Sequence, residues 1–198
     1  NTGEDKNRAA VAQTFVEKGT GEQFTVVVNH LKSKGSRCGP DDDAPQAGSC
    51  NLTRTLAVEA LLDWLDTTPT DVDDPDVLIV GDLNSYDMED PIDVLLAAGY
   101  ADLLKEYQRE LAYSYLFGAQ LGYLDYGMSS ASLTSQVTGA TAWHINADEP
   151  DILEYDTSFK RDAQDALYEP NAYRSSDHDP VLIGLDLASK PGRGLGRR

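Results

Sequence analysis

The chain has 198 residues, 40% of them hydrophobic and 25% charged, enough for one folded domain with a substantial core. Its 16 basic and 34 acidic residues leave a formal net charge of −18, opposite in sign to the basic footprint on which non-specific nucleic-acid binding rests. No apolar run approaches the roughly 18–20 residues needed to cross a bilayer, and residues 1–8 are polar, without a signal-peptide pattern or an initiator methionine.

Residues 8–16 and 23–31 read as strands, joined by the turn Lys18-Gly19-Thr20-Gly21 into a hairpin. Cys38 and Cys50 are the only cysteines and bracket a loop of Gly, Pro, Asp and Ser. This spacing reads as a disulfide staple made in an oxidising compartment, hence a secreted or periplasmic protein; the plainer alternative is a pair of free cytosolic thiols. A zinc site is disfavoured, since no histidine or third cysteine lies nearby. The strongest helical signal covers 51–65, with Leu52, Leu56, Ala60 and Trp64 on one stripe and Ala57, Leu61 and Leu65 beside it. Asn51 or Thr53 is placed to cap its start, and Pro69 lies beyond its end.

Residues 70–76 form an aspartate-rich linker whose spacing does not match the EF-hand calcium loop, so it reads as solvated. A strand over 77–80 follows, then a short helix from Asp90-Pro91 to Gly99 and a second over 102–111. Aromatic and β-branched runs at 113–117, 123–128 and 136–144 read as strands, 146–173 as a long irregular loop, and 181–187 as the last strand. Residues 1–188 make one domain portion, and the basic stretch 189–198 reads as a disordered tail. Strands interleaved with few helices point to a layered α/β fold.

Three polar clusters sit where strands run out: Asn29-His30-Leu31-Lys32-Ser33-Lys34-Gly35, Gly81-Asp82-Leu83-Asn84 and Ser175-Ser176-Asp177-His178-Asp179-Pro180. Strand ends on a rigid sheet hold side chains firmly and still present them to solvent. Two spaced residues on an extended segment leave the same face, which would pair Asp82 with Asn84. Carboxylate and amide oxygens suit magnesium or manganese better than zinc. Histidine is the usual base for activating water, which points to His178, and Asp125 is a candidate to orient its ring. His30 would act across the scissile phosphate, as a cation or as a donor to the leaving group. Arg8, Lys32 and Lys34 are candidate phosphate contacts. Each cluster has a plainer reading: Asp82 and Asn84 as a turn, Asp177 to Pro180 as a strand-entry turn, His144 as packing or surface. Asn51-Leu52-Thr53 matches a glycosylation sequon, a pattern common by chance.

The run Asn29-His30-Leu31-Lys32, Gly81-Asp82-Leu83-Asn84, Leu124-Asp125-Tyr126 and Ser176-Asp177-His178-Asp179-Pro180 resembles the endonuclease/exonuclease/phosphatase superfamily, which includes deoxyribonuclease I. It is most similar to large secreted bacterial nucleases. The resemblance implies a two-sheet α/β sandwich and magnesium- or manganese-dependent phosphodiester cleavage, with calcium as a candidate structural ion. It implies a nucleic-acid substrate, DNA before RNA, and no membrane. In residue terms it implies His178 as base with Asp125, and Asp82 with Asn84 at the phosphate and second metal position. It further implies Asp177 at the metal, His30 at the transition state and Asn29 among the substrate contacts.

One departure accompanies the match. The family's domain begins upstream with an asparagine and a glutamate, the latter a principal metal ligand, and Glu4, Glu17 and Glu22 do not occupy matching positions. The chain is thus expected to be mainly the C-terminal portion of the domain, with the N-terminal half a missing partner and the metal site incomplete. Alternative readings are a phosphodiesterase or phosphatase acting on phospholipid head groups or small phosphate esters, and an inactive half-domain.

Overall fold

The computed structural model describes residues 7–35, 37–39 and 41–187; the basic tail at 189–198 and Glu4 lie outside the described residues. Chain order is β1 (Val11–Val16), β2 (Gln23–His30), α1 (Asn51–Leu65), β3 (Val77–Asp82), α2 (Asp90–Ala97), β4 (Ala101–Asp102) and α3 (Leu103–Gln108). Then come β5 (Tyr115–Phe117), β6 (Gln120–Gly122), β7 (Asp125–Ser129), α4 (Ala131–Thr134), β8 (Val137–Ala142), α5 (Asp162–Asp165) and β9 (Val181–Leu185).

The β-branched runs 24–28 and 77–80 become the centre of a five-stranded mixed sheet in the order β1-β2-β3-β7-β4. β1 and β2 form the expected hairpin, β2 and β3 run parallel, and β3 and β7 antiparallel. The parallel β2–β3 step needs a crossover, and α1 supplies it. β5 and β6 form a separate two-stranded hairpin, and β8 and β9 pair antiparallel as a second sheet. That sheet lies against the first at Gly127, where an added Cβ would stand 2.3 Å from Ile183 Cδ1 of β9. Val27, Ile79, Tyr126 and Met128 of the larger sheet share one core with Val58, Leu61, Ile92, Leu95, Leu103, Val137 and Ala140. The architecture is a two-sheet α/β sandwich, as expected.

Cys38 and Cys50 form a disulfide. Helix α1 has the expected bounds but not the expected face. It buries Asn51, Arg54, Val58 and Leu61, while Leu52 and Leu56 are 47% and 51% exposed and Trp64 is 37% exposed. Apolar periodicity cannot register a face that turns inward around an arginine. The cap differs too. Cys50 is the N-cap residue, at φ +64°, and its side chain does not cap the helix. The cap comes from the stapled loop, where Asp42 Oδ1 accepts from Thr53 N at 2.6 Å and Oδ2 accepts from Thr53 Oγ1. The linker 70–76 is also less solvated than its composition implies. Asp74 and Asp76 are buried, and Asp76 Oδ2 accepts from Gln136 Nε2 at 2.7 Å.

Candidate active site

Strand register alone lines up half of the site. His30, the last residue of β2, pairs with Asp82, the last residue of β3, and Asp82 pairs in turn with Asp125, the first residue of β7. Three neighbouring strands therefore present an imidazole and two carboxylates in one row at the sheet edge where loops emerge. Gly81 makes this possible. It sits at φ +120°, and a Cβ there would lie 2.0 Å from the carbonyl oxygen of Asn29, so only glycine allows β2 and β3 to approach at this step.

His178 arrives from the other side of the sandwich. A bridge to Tyr115 of β5 fixes its backbone, and the Tyr115 ring stacks on the imidazole with centroids 4.5 Å apart. Its Nδ1 lies 2.7 Å from Asp125 Oδ2, and the same oxygen accepts from Ser114 Oγ at 2.7 Å. Burial alone would lower the His178 pKa. The hydrogen bond and charge of Asp125, helped by Asp82 and Asp177, outweigh burial and leave it raised. With Nδ1 committed to a carboxylate, Nε2 is the nitrogen left for proton transfer.

His30 is arranged differently. Arg8 Nη1 donates to its Nδ1 at 2.7 Å, and its Nε2 stands 3.5 Å from Asp82 Oδ2. An arginine donor on Nδ1 requires the neutral ring with its proton on Nε2. Burial, then the charges of Arg8 and His178, lower its pKa to match. That tautomer puts a donor N–H on Nε2, which is what the donor reading of His30 requires. Arg8 is engaged here as well, holding the ring.

Asp82 carries the clearest electrostatic signature. Its pKa is pushed up to about 6, first by burial, then by the Asp125 carboxylate, with Asp177 adding to the rise. Asp82 and Asn84 do not leave an extended strand side by side, as their spacing suggested. Asn84 is in the left-handed region at φ +48°. Its backbone N–H donates to Asp82 Oδ1 at 2.7 Å and its amide to Asp82 Oδ2 at 2.8 Å and Leu31 O at 3.1 Å. The turn and the site are one structure: Asn84 folds back to clamp Asp82.

The remaining sequence candidates divide. Asp177 is exposed at the rim, and its charge reaches Asp82, Tyr115 and His178. Asn29 is buried, its amide donating to Val27 O at 3.2 Å. The backbone N–H of Lys32 donates to Asn7 Oδ1 at 2.8 Å. Lys34 departs from the expected phosphate role. Its ammonium is spent on Glu89 and, at 3.0 Å, on Ala47 O, and burial lowers its pKa despite Glu89.

The sequence reading overlooked the residues that hold the site from behind. Ser114 is fully buried, its Oγ on Asp125 and its carbonyl accepting from Asp179 N at 2.8 Å. Asp179 is also buried. One oxygen accepts from the backbone N–H groups of Ile145, Asn146 and Ala147 at 2.9–3.1 Å, and the other meets His144 Nδ1 at 2.8 Å. Asn146 then donates to His178 O at 2.7 Å and accepts from Ser175 N at 3.0 Å. The one available sequence signal was Asp179 itself, an acid wedged between His178 and Pro180 at the mouth of a strand.

One oxygen or nitrogen from each of Asp82, Asp125 and His178 lies within 4.8 Å of the others. Asp125 Oδ2 is already shared by Ser114 and His178, and both Asp82 oxygens accept from Asn84, so a cation would draw on the lone pairs left at Asp82 and Asp125 and, at the rim, on Asp177. Oxygen donors under mutual repulsion fit a hard divalent cation, though they are fewer than such an ion takes. The residues present therefore fit a hard divalent cation as a partial ligand set.

The fold and this row of groups define an α/β sandwich with a His–Asp site at its loop end. Solved structures share that fold. An endonuclease/exonuclease/phosphatase family protein from Bacteroides thetaiotaomicron superposes with a TM-score of 0.56 at 15% identity, covering 88% of this chain and 54% of its own. A mannosyl-6-phosphatase from the same organism gives 0.59 at 16%, covering 90% and 57%. Beta toxin of Staphylococcus aureus gives 0.59 at 20%, covering 93% and 60%. The chain has the endonuclease/exonuclease/phosphatase fold and spans somewhat over half the length of these neighbours. No family model matches it, and no curated protein is significantly similar.

Proposed function

We propose that the chain carries most of the active site of a secreted, divalent-metal-dependent phosphodiester hydrolase, a nuclease that cleaves DNA. The observation that carries this reading is the convergence of His30, Asp82, Asp125 and His178, from four separate elements, on one edge of the sheet.

His178 Nε2 accepts the proton of an attacking water, and Asp125, fixed by Ser114, holds the ring and stabilises the imidazolium that results. His30 Nε2–H, fixed by Arg8, donates to a phosphoryl or leaving oxygen as charge grows there. Asp82, clamped by Asn84, and Asp177 would hold the cation. Magnesium or manganese bound there would neutralise phosphoryl charge and make water a better nucleophile. Phosphate contacts fall to Lys32 and Asn29 at the mouth of β2.

The ligand set is completed, on this reading, by an acidic residue on a segment outside the chain. The span of 54–60% of the neighbours' length supports it. So does an apolar surface on the β1–β2 hairpin, where Val11, Phe15 and Val28 are each about half exposed or more.

The test is cleavage of plasmid and single-stranded DNA with magnesium or manganese, by the chain joined to the segment upstream of it in its reading frame. His178→Ala and Asp82→Ala should each lower the rate by about 100-fold or more; unchanged rates would refute the assignment. A second reading keeps the site and changes the substrate to a phospholipid head group or small phosphate ester. The net charge of −18 favours it, because a nucleic acid is repelled more than a small ester. Rates on DNA, RNA, sphingomyelin and a nitrophenyl phosphodiester, measured side by side, separate the two.

A further inference from the structure

We infer that Arg54 is a positioning residue that sets the spacing between the His30 loop and the Asp82–Asn84 loop. The effect on turnover rests on the hydrolase reading above; the effect on loop geometry does not. Arg54 is fully buried, on α1, and its hydrogen bonds among the described residues go to none of the four groups in the catalytic row. A buried guanidinium is costly to desolvate and persists only where its donors are matched. Here they are matched by three different loops.

Nε donates to Ser85 Oγ at 3.1 Å, next to Asn84. Nη1 donates to Lys32 O at 3.1 Å, two residues after His30, and to Ser49 O at 2.8 Å. Nη2 donates to Ala47 O at 3.3 Å and lies 3.7 Å from Glu89 Oε2. Burial lowers the Arg54 pKa, while Glu89, Asp42 and Asp82 oppose that shift. The group stays charged.

The acceptors are not interchangeable loop carbonyls. Ser85 also offers its carbonyl to Tyr126 Oη at 2.8 Å, beside Asp125. The His30 loop and the Asp82–Asn84 loop also meet each other directly, through Leu31 N to Asp82 O at 2.9 Å and Asn84 Nδ2 to Leu31 O at 3.1 Å. Ala47 and Ser49 belong to the loop closed by the Cys38–Cys50 disulfide. The rigid fork of Arg54 thus ties the stapled loop to the ends of β2 and β3, where a misplacement of about 1 Å costs on the order of 100-fold in rate. A lysine, with one ammonium on a flexible stem, cannot span the same acceptors.

The experiment uses Arg54→Lys, Arg54→Ala and Ser85→Ala, with folding of each checked by near-ultraviolet circular dichroism. Hydrogen exchange is read on this chain, and turnover per folded molecule on the form joined to its upstream segment. Expected are at least 10-fold faster exchange at the amides of Leu31 and Asn84, with Val27 and Ile79 in the strands that lead to them unchanged. The kcat should fall by about 10–100-fold with KM little altered, and millimolar guanidinium should restore part of it in Arg54→Ala. Ser85→Ala should show a smaller effect in the same direction, which keeps the inference testable if Arg54→Ala fails to fold.

Wild-type exchange at Leu31 and Asn84 in Arg54→Lys, or an undiminished kcat in an enzyme that His178→Ala inactivates, would overturn the inference. If no substrate is turned over by any form, yet loop exchange rises as stated, the positioning inference stands and the hydrolase reading falls.

Discussion

Gly81→Ala is the sharpest single test of how the sheet builds the site. The added Cβ would start 2.0 Å from Asn29 O and 3.1 Å from Asn29 C, both backbone atoms of the neighbouring strand, so no side chain can rotate out of the way. Relief requires β2 and β3 to part by about 1 Å at this step, since ordinary carbon–oxygen contact is about 3.3 Å and the strands give most easily at their ends. The φ of +120° adds strain for any L-residue, about 1–3 kcal/mol, and the overlap adds about 1–3 kcal/mol more. The sum, about 2–6 kcal/mol, is a large share of a typical domain's stability. His30 and Asp82 are the next pair along, so the same separation widens their 3.5 Å contact and should lower turnover about 100-fold. Urea unfolding followed by tryptophan fluorescence reads the first effect, and initial rates on plasmid DNA the second. A midpoint loss worth less than about 1 kcal/mol, the centre of ordinary point substitutions, would refute the steric argument.

Four further outcomes follow from the same geometry. Reducing the Cys38–Cys50 disulfide should cost about 3 kcal/mol, the loop-closure value for a loop of this size, and lower the thermal midpoint in calorimetry. Asp125→Asn should drop the His178 pKa in an NMR titration, since the hydrogen bond and charge of Asp125 do most to raise it. Because that pKa lies above its unfolded value of 6.5, the interaction's stabilisation is fully present below about pH 6.5 and fades as pH rises through the folded value. The wild type should therefore lose more stability than Asp125→Asn across that window. Asp179→Ala should destabilise by about 3–5 kcal/mol, because it strands the N–H groups of residues 145–147 and leaves His144 unpaired from its acid. Asn51 should remain unglycosylated in a glycosylating host, as mass spectrometry would show, because it is buried and its amide donates to Asp90 Oδ2 at 2.6 Å.

Much of the fold was legible because it rests on signals a single sequence carries. The β-branched runs at 24–28 and 77–80, the turn at 18–21 and the Asp90-Pro91 start with Gly99 beyond the end all declare themselves locally, and each stands where expected. The reactive groups were legible for a related reason: His30, Asp82, Asp125 and His178 lie at strand ends or on a loop beside one, and ordered motifs mark them. What failed were inferences that needed the third dimension. The α1 stripe was wrong because a hydropathy scale treats Arg54 as outward-facing. Lys34 looked like a phosphate contact because Glu89 stands 55 residues away. Asp82 and Asn84 looked extended because nothing in a dipeptide spacing reveals a left-handed Asn84.

The overlooked residues share one property that explains both their role and their invisibility. Arg54, Ser114 and Asp179 are polar, completely or nearly buried, and bonded to loop backbone far along the chain. Strands hold His30, Asp82 and Asp125 through their own ladders, but among the described residues the segments at 31–50, 83–89 and 145–180 have only the isolated bridges Ala44–Gly48 and Tyr115–His178 in place of a ladder. Their rigidity comes from charge buried where it must be satisfied, so that moving a loop means stranding a guanidinium or a carboxylate. Asp179 steadies the His178 side in this way and Arg54 the His30 side, with Ser114 joining the first to Asp125. A site that has to hold two imidazoles and three carboxylates against mutual repulsion, with Asp82 driven up to about 6, needs such anchors on both flanks. Hydrophobic packing is non-directional and would let the loops slide; hydrogen bonds to buried charge have a direction, and it is direction that keeps an imidazole aimed at one atom.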